Sequence, residues 1–298
     1  MNKLNLRHPL DGATLAILRR LRSILEAEGR TYFLVGATAR DVLLKHVFGI
    51  DTGRATRDVD FAIALESWES FERIRQALIA DGHFSQLPGT AIQRFYDDKH
   101  YPVDLIPFGA IEGATGDIAW PPRGDIVMNV AGYQEALAAA EQVEVEPGHL
   151  LRVSSIPGLA VLKLLAWDER GLADPKDAQD LLLLLASYAG AGNENRLYEG
   201  EGMPFLSTAG FDPDLAGAAL LGQDCRRMIG TPMLARITAI MQDVRKRDRL
   251  ILHMRSNKNV PEDKVPDYLR HFEEGRARVE QHLHAVARQQ LAAREVLA

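Results

Sequence analysis

The chain has 298 residues, 46% hydrophobic and 26% charged, the balance of a soluble globular protein with room for two modest domains. A net charge of −6 excludes a global basic field that would recruit nucleic acid, although Arg245 to Ala298 carries 12 Lys/Arg against 8 Asp/Glu. The single cysteine, Cys225, excludes an internal disulfide, and the lack of an apolar leader or membrane-length run predicts a cytoplasmic address with no membrane partner.

Asp11 is placed to cap a helix whose apolar residues Leu15, Ile17, Leu18, Leu21, Ile24 and Leu25 recur at helical spacing, and Gly29 ends it. Thr31 to Val35 predicts a buried strand, Gly36 a turn, and Thr38 to Val47 a helix. A loop holding Gly49 and Gly53 leads to a second strand, Asp58 to Leu65. Glu66 or Ser67 opens a helix with Trp68, Phe71, Ile74, Leu78 and Ile79 on it. Three β-like stretches follow, Ala91 to Tyr96, Tyr101 to Ile106 and Ile126 to Val130, the first two joined by a polar hairpin turn over 97–100. After about residue 150 the pattern turns helical: Ile156 to Glu169, Asp177 to Tyr188, Pro213 to Ile229, Pro232 to Leu250 and Pro266 to Val296. The glycine-rich stretch from Ala189 to Phe211 predicts a mobile loop. The expected fold class is α+β: a mixed sheet with flanking helices over 1–150, then an all-helical domain over 151–298.

Asp58 and Asp60 stand at i and i+2 of a strand and so project from one face, side by side. Two carboxylates that close repel each other unless a cation lies between them, and Mg²⁺ takes such ligands together with substrate phosphates. Asp104, alone in the apolar run Val103 to Phe108, supplies a third. A buried aspartate is rare unless it is paired or bound. If its strand neighbours that of Asp58 and Asp60, the three converge at one sheet edge. There they would hold two Mg²⁺ ions roughly 3.5–4 Å apart, with Mn²⁺ as a substitute. The bland alternative is an exposed Asp-x-Asp beside a turn-capping Asp104.

Gly36 admits two interpretations, a simple φ > 0 turn or the start of a phosphate cradle made by the N–H groups of Ala37 and Thr38 at a helix N-terminus. Arg40 would touch phosphate one turn on, and Asp41 would make a local salt bridge. In the second half, Lys163 emerges from an apolar helix, either snorkelling to solvent or reaching a nucleotide phosphate. Arg170 and Lys176 rank below it as nucleotide contacts, and Lys176, Asp177 and Asp180 also suit a helix start. The nine histidines lack metal-ligand spacing, and Cys225 reads as core. The run Arg245 to Arg249 is either a solvated helix face or a grip on an RNA backbone.

In order and spacing, these segments resemble the polymerase-β-like nucleotidyltransferase superfamily, and within it the bacterial AbiEii-toxin type. The likeness rests on Phe33 to Asp41, Arg54 to Phe61, Val103 to Gly109, Ala119-Trp120-Pro121-Pro122, Lys163 to Trp167 with Arg170, and Lys176 to Leu181, and so covers about 30–190. It implies a nucleotidyltransferase-like sheet, with Asp58, Asp60 and Asp104 as a metal-binding catalytic triad. Gly36 would begin the phosphate turn, and Lys163 would belong to a nucleotide-contacting lysine motif. Where many relatives have Gly-Gly or Gly-Ser, this chain has Gly36-Ala37.

The resemblance implies an enzyme that moves a nucleoside monophosphate from an NTP to an acceptor hydroxyl. It further implies a toxin or phage-defence role, a tRNA or other RNA acceptor, and a cognate antitoxin. Two rivals stand beside it: a transferase acting on a small, antibiotic-type acceptor, and a non-catalytic nucleotide-binding module that docks a partner.

Overall fold

The computed structural model describes residues 3–53, 56, 58–172, 174–257 and 259–278. Asp11 caps α1 (Gly12–Ala27) as expected, its carboxylate accepting from the backbone N–H of Ala13 and Thr14 at 3.0 Å each. The stripe Ile17, Leu18, Leu21 and Leu25 is buried, and the helix packs on β2 (Thr31–Val35) and on α3 (Trp68–Ala80). Thus the 3.6-residue period of the apolar side chains determines which side of α1 meets the sheet.

The chain forms two compact units, Met1–Leu165 and Ala166–Ala298. The first is built on one mixed eight-stranded sheet. In sheet order its strands are β1 (Lys3–Asn5), β9 (Glu141–Glu146), β10 (His149–Val153), β2, β3 (Val59–Leu65), β6 (Pro102–Gly109), β5 (Arg94–Asp97) and β4 (Phe84–Ser85). At the centre β2 and β3 are antiparallel, β3 and β6 parallel, and β6 and β5 antiparallel. A separate ribbon pairs β7 (Asp117–Ala119) with β8 (Val127–Asn129), and α4 (Tyr133–Ala138) follows it.

The central strands alternate as a two-faced sheet demands. Phe33 meets Phe108 and Tyr133 on one face, while Tyr32 meets Phe61 on the other. The helix after Gly36 begins as α2 (Gly36–Asp41) and continues as a π-helical turn, Val42–Val47. The strands β9 and β10 lie beyond the sequence expectation. They pair around the turn at Gly148 and carry the sheet through residue 153, so a domain limit at 150 cuts a strand; the division between the units falls at 165, inside α5 (Ile156–Arg170).

The second unit is helical among the described residues. It holds α6 (Lys176–Ser187), α7 (Glu194–Tyr198), α8 (Met203–Thr208), α9 (Pro213–Met228), α10 (Thr231–Gln242), α11 (Val244–Met254) and α12 (265–278). Two expectations are corrected here. The stretch Ala189 to Phe211 is not a loop, because Leu197, Phe205 and Leu206 bury themselves on two short helices and the Asn193 amide donates to the Tyr188 carbonyl at 2.9 Å. The single helix from Pro232 to Leu250 is two, because Asp243 adopts extended backbone and caps α11 through the Lys246 N–H at 3.1 Å. The helix expected over Pro266 to Val296 is seen to 278; its remainder lies outside the described residues.

Candidate active site

The site grows out of strand register. In the parallel pair β3–β6, Asp60 stands directly opposite Asp104, so the two aspartates share one face on neighbouring strands. On the other side of β3, Asp60 faces Val35, the last residue of β2. The chain turns there, and Gly36 adopts φ +69°. A Cβ added to Gly36 would lie 1.9 Å from Asp60 Oδ2, so glycine is required twice, by the backbone angle and by the carboxylate seated against it. Asp58 immediately precedes β3. The buried Thr38 hydroxyl donates to the Asp58 carbonyl, tying the first turn of α2 to the entry of the aspartate strand.

Arg94 completes the arrangement and was not singled out from the sequence. It faces Asp104 across the antiparallel β5–β6 ladder and binds it with two prongs, Nε to Oδ1 at 2.8 Å and Nη2 to Oδ2 at 2.6 Å. Hydrogen bonding to Asp104 raises the Arg94 pKa above its ordinary value; partial burial opposes this, and the fields of Asp104 and Asp58 add to it. Asp58 is therefore part of the same electrostatic neighbourhood. The hairpin turn over 97–100 held the signal for Arg94: counting outward from its centre at about residue 99 brings position 94 against position 104.

The other expected contacts take varied places. Thr38, whose N–H is expected in a phosphate cradle, gives its hydroxyl to the Asp58 carbonyl. Arg40 is 1% exposed and ion-paired to Asp41 at 2.6 Å within α2. Ala37 is half-buried at the start of α2, and Lys163 is half-buried on α5 among the buried Leu159, Val161, Leu164 and Leu165. In the second unit, Arg170 pairs with Asp177 at 2.7 Å and Lys176 with Asp174 at 3.0 Å, which makes both local ties around the start of α6.

The donor chemistry suits a hard divalent cation: carboxylate oxygens alone, two of the three directly in register. Among the described residues no group of three or more His, Cys, Asp or Glu side chains is gathered for a metal.

The glycine turn, the paired aspartate strands and the following helix lie inside a region, residues 17–204, that matches the family model described as nucleotidyl transferase AbiEii toxin, type IV TA system. The chain belongs to the AbiEii family. It is accordingly a nucleotidyltransferase, and its fold is the α+β one expected, a mixed sheet followed by helices. No curated protein sequence matches the chain.

Solved structures similar to this AbiEii-family chain include the antibiotic-resistance factor ANT(2'')-Ia, at 14% identity and TM-score 0.39 over 60% of this chain and 85% of that one. An antigenic nucleotidyltransferase-like protein from Paracoccidioides brasiliensis aligns at 18% identity and TM-score 0.40, over 68% and 94%. The Thermotoga maritima CCA-adding enzyme, solved in complex with tRNA, aligns at 13% identity and TM-score 0.26, over 93% and 83%. At such values these likenesses carry no inference about activity. No helix among the described residues is long and apolar enough to cross a membrane.

Proposed function

We propose that this AbiEii-family nucleotidyltransferase works as a metal-dependent toxin. It transfers a nucleoside monophosphate from an NTP to a hydroxyl of an RNA acceptor, at Asp58, Asp60 and Asp104. The observation that carries the proposal is the β3–β6 register, which sets Asp60 against Asp104 beside the glycine turn at Gly36. Bound Mg²⁺ would supply charge neutralisation on the triphosphate and activation of the attacking oxygen.

The chain's own residues do the rest by positioning. Asp58 and Asp60 present carboxylates to the cation side, while Gly36, Ala37 and Thr38 leave the turn free of any bulky side chain. Asp104 lies nearest the attacking hydroxyl and takes its proton as the new oxygen–phosphorus bond forms and the bond to pyrophosphate breaks, pyrophosphate leaving as the anion. Lys163 is the proposed cationic contact to the nucleotide, and the cognate antitoxin is the proposed protein partner.

An RNA acceptor is favoured by α11. This helix carries Arg245, Lys246, Arg247 and Arg249 in one run with Arg245 exposed, although Lys246 reaches Asp168 at 2.7 Å and Arg249 lies 4.9 Å over Trp167.

The protein incubated with each α-³²P-labelled NTP, Mg²⁺ and total RNA, and in parallel with protein lysate or aminoglycosides, tests this. Label on RNA, tRNA included, is expected. Label confined to a small molecule or to protein would overturn the RNA acceptor, and no label on anything would overturn the transfer itself.

A further inference from the structure

We propose that Arg94 is an internal counter-ion lock: it holds Asp104 in the cation-free enzyme and must let go of that carboxylate before a divalent cation can be held there. The proposal rests on the metal-dependent function argued above and deepens it, assigning to this site a gate that the three aspartates alone do not provide.

The geometry is that of an occupied ligand. Arg94 takes one lone pair on each oxygen of Asp104, at 2.8 and 2.6 Å, and sets its positive charge against the carboxylate that a cation would approach. Among the described residues it is the one hydrogen-bond donor to Asp104. The pair sits in register on neighbouring strands, so neither backbone has to move for the fork to close or open. The Arg94 side chain is 35% exposed against 14% for Asp104, so the arginine has solvent to swing into while the aspartate stays anchored.

Charge supplies the reason for a lock. Asp60 is opposite Asp104, and Asp58 is close enough to act on Arg94. Left without a cation, the three carboxylates would repel one another. At Asp104 the Arg94 guanidinium offsets that repulsion and keeps the carboxylate oriented. A divalent cation offsets more and removes the need for the fork. The exchange is therefore cation for guanidinium at a carboxylate that hardly moves.

A bland alternative exists: the fork is a permanent brace, and any cation binds beside it. Mn²⁺ titration of the full-length protein without nucleotide, read by the EPR signal of free Mn²⁺, separates the two. Arg94→Gln removes both charge and fork. Arg94→Lys keeps the charge but loses the two-pronged grip. A lock predicts that both variants bind Mn²⁺ more tightly than the parent protein, by about tenfold for Arg94→Gln, equivalent to ~1.4 kcal/mol. It also predicts that the gain from Arg94→Gln falls to less than about twofold when Asp104 is already Asn, because the contact being relieved is gone.

Arg94→Lys serves as the second probe should Arg94→Gln fold poorly by circular dichroism. Equal Mn²⁺ affinity in the parent protein and both variants would overturn the lock and leave the metal site standing. So would an Arg94→Gln gain that persists undiminished with Asp104→Asn, which would mark a general field rather than a contact. No Mn²⁺ binding by any form would overturn the lock and the metal-dependent function together.

Discussion

Arg196 and Asp224 in the helical unit make the same two-pronged contact as Arg94 and Asp104 at the sheet, at 2.8 and 2.9 Å in the first and 2.8 and 2.6 Å in the second. Their surroundings differ. Asp224 also accepts from the Tyr188 hydroxyl at 2.6 Å, and Arg196 also reaches Asn193 and Glu201 at 2.7–3.0 Å. Burial, and then Asp224, push the Tyr188 phenol well above its usual pKa, so it stays a neutral donor. That network ties the π-helical turn at Ala189–Asn193 to α7 and α9, and every member has somewhere to put its charge. Asp104 has one described donor and two acidic neighbours. The same contact is thus a fastening in one unit and a placeholder in the other; the spare bonding capacity of the carboxylate and the sign of its neighbours make the difference.

The comparison breaks most severely at Gly36. Gly36→Ala puts a methyl group where the Asp60 carboxylate sits, at a φ that costs a non-glycine residue about 1–2 kcal/mol. Displacing a reacting group by this much is expected to lower NMP transfer roughly 100-fold or more, measured as α-label incorporation, with the far-UV circular dichroism retained. Next, Arg196→Ala strips Asp224 of its fork and takes the shared partner from Asn193 and Glu201, and is expected to cost about 2 kcal/mol in denaturant unfolding. Arg94→Gln, at a pair equally exposed but with no further described partner on either side chain, is expected to cost about 1 kcal/mol or less. Equal losses at the two pairs would erase the distinction between fastening and placeholder.

A smaller effect sharpens the scale at its exposed end. Arg19 forks onto Glu146, which also bonds to His149 at 3.1 Å, and these contacts pull the Glu146 pKa down from 4.5 to about 2. A folded-state pKa below the unfolded value means stability that is present above about pH 4.5 and lost as pH falls toward 2. The fall in melting temperature over that window is expected to be shallower in Glu146→Gln than in the parent protein. An identical slope in the two would remove Glu146 from the account.

Much of this site is legible in the sequence because its parts are local. The strands Thr31–Val35 and Val59–Leu65 form where β-branched, aromatic and other apolar residues cluster, and the glycine turn needs only its own backbone. The facing of Asp60 and Asp104 is different, since it depends on which strands become neighbours, and the sequence offers that only as a condition. Arg94 escapes notice because an arginine in a short strand is ordinary; only the register counted from the hairpin turn gives it meaning. Strands β9 and β10, with short alternating runs around Pro147-Gly148, carry too little apolar length to declare themselves before the sheet exists to receive them. The glycines between Ala189 and Phe211 suggested a loop because the Tyr188–Asp224–Arg196 network that folds them is long-range, 28 to 36 residues apart.

The measurement that bears most directly on the central claim is transfer from an α-³²P-labelled NTP to total RNA by the parent protein, Asp60→Asn and Asp104→Asn, each confirmed folded, with a γ-³²P-labelled control. The account predicts α-label on RNA with the parent protein, no γ-label, and loss of transfer in both variants. Undiminished transfer in either variant would show that the paired carboxylates of β3 and β6 are not the centre of the chemistry.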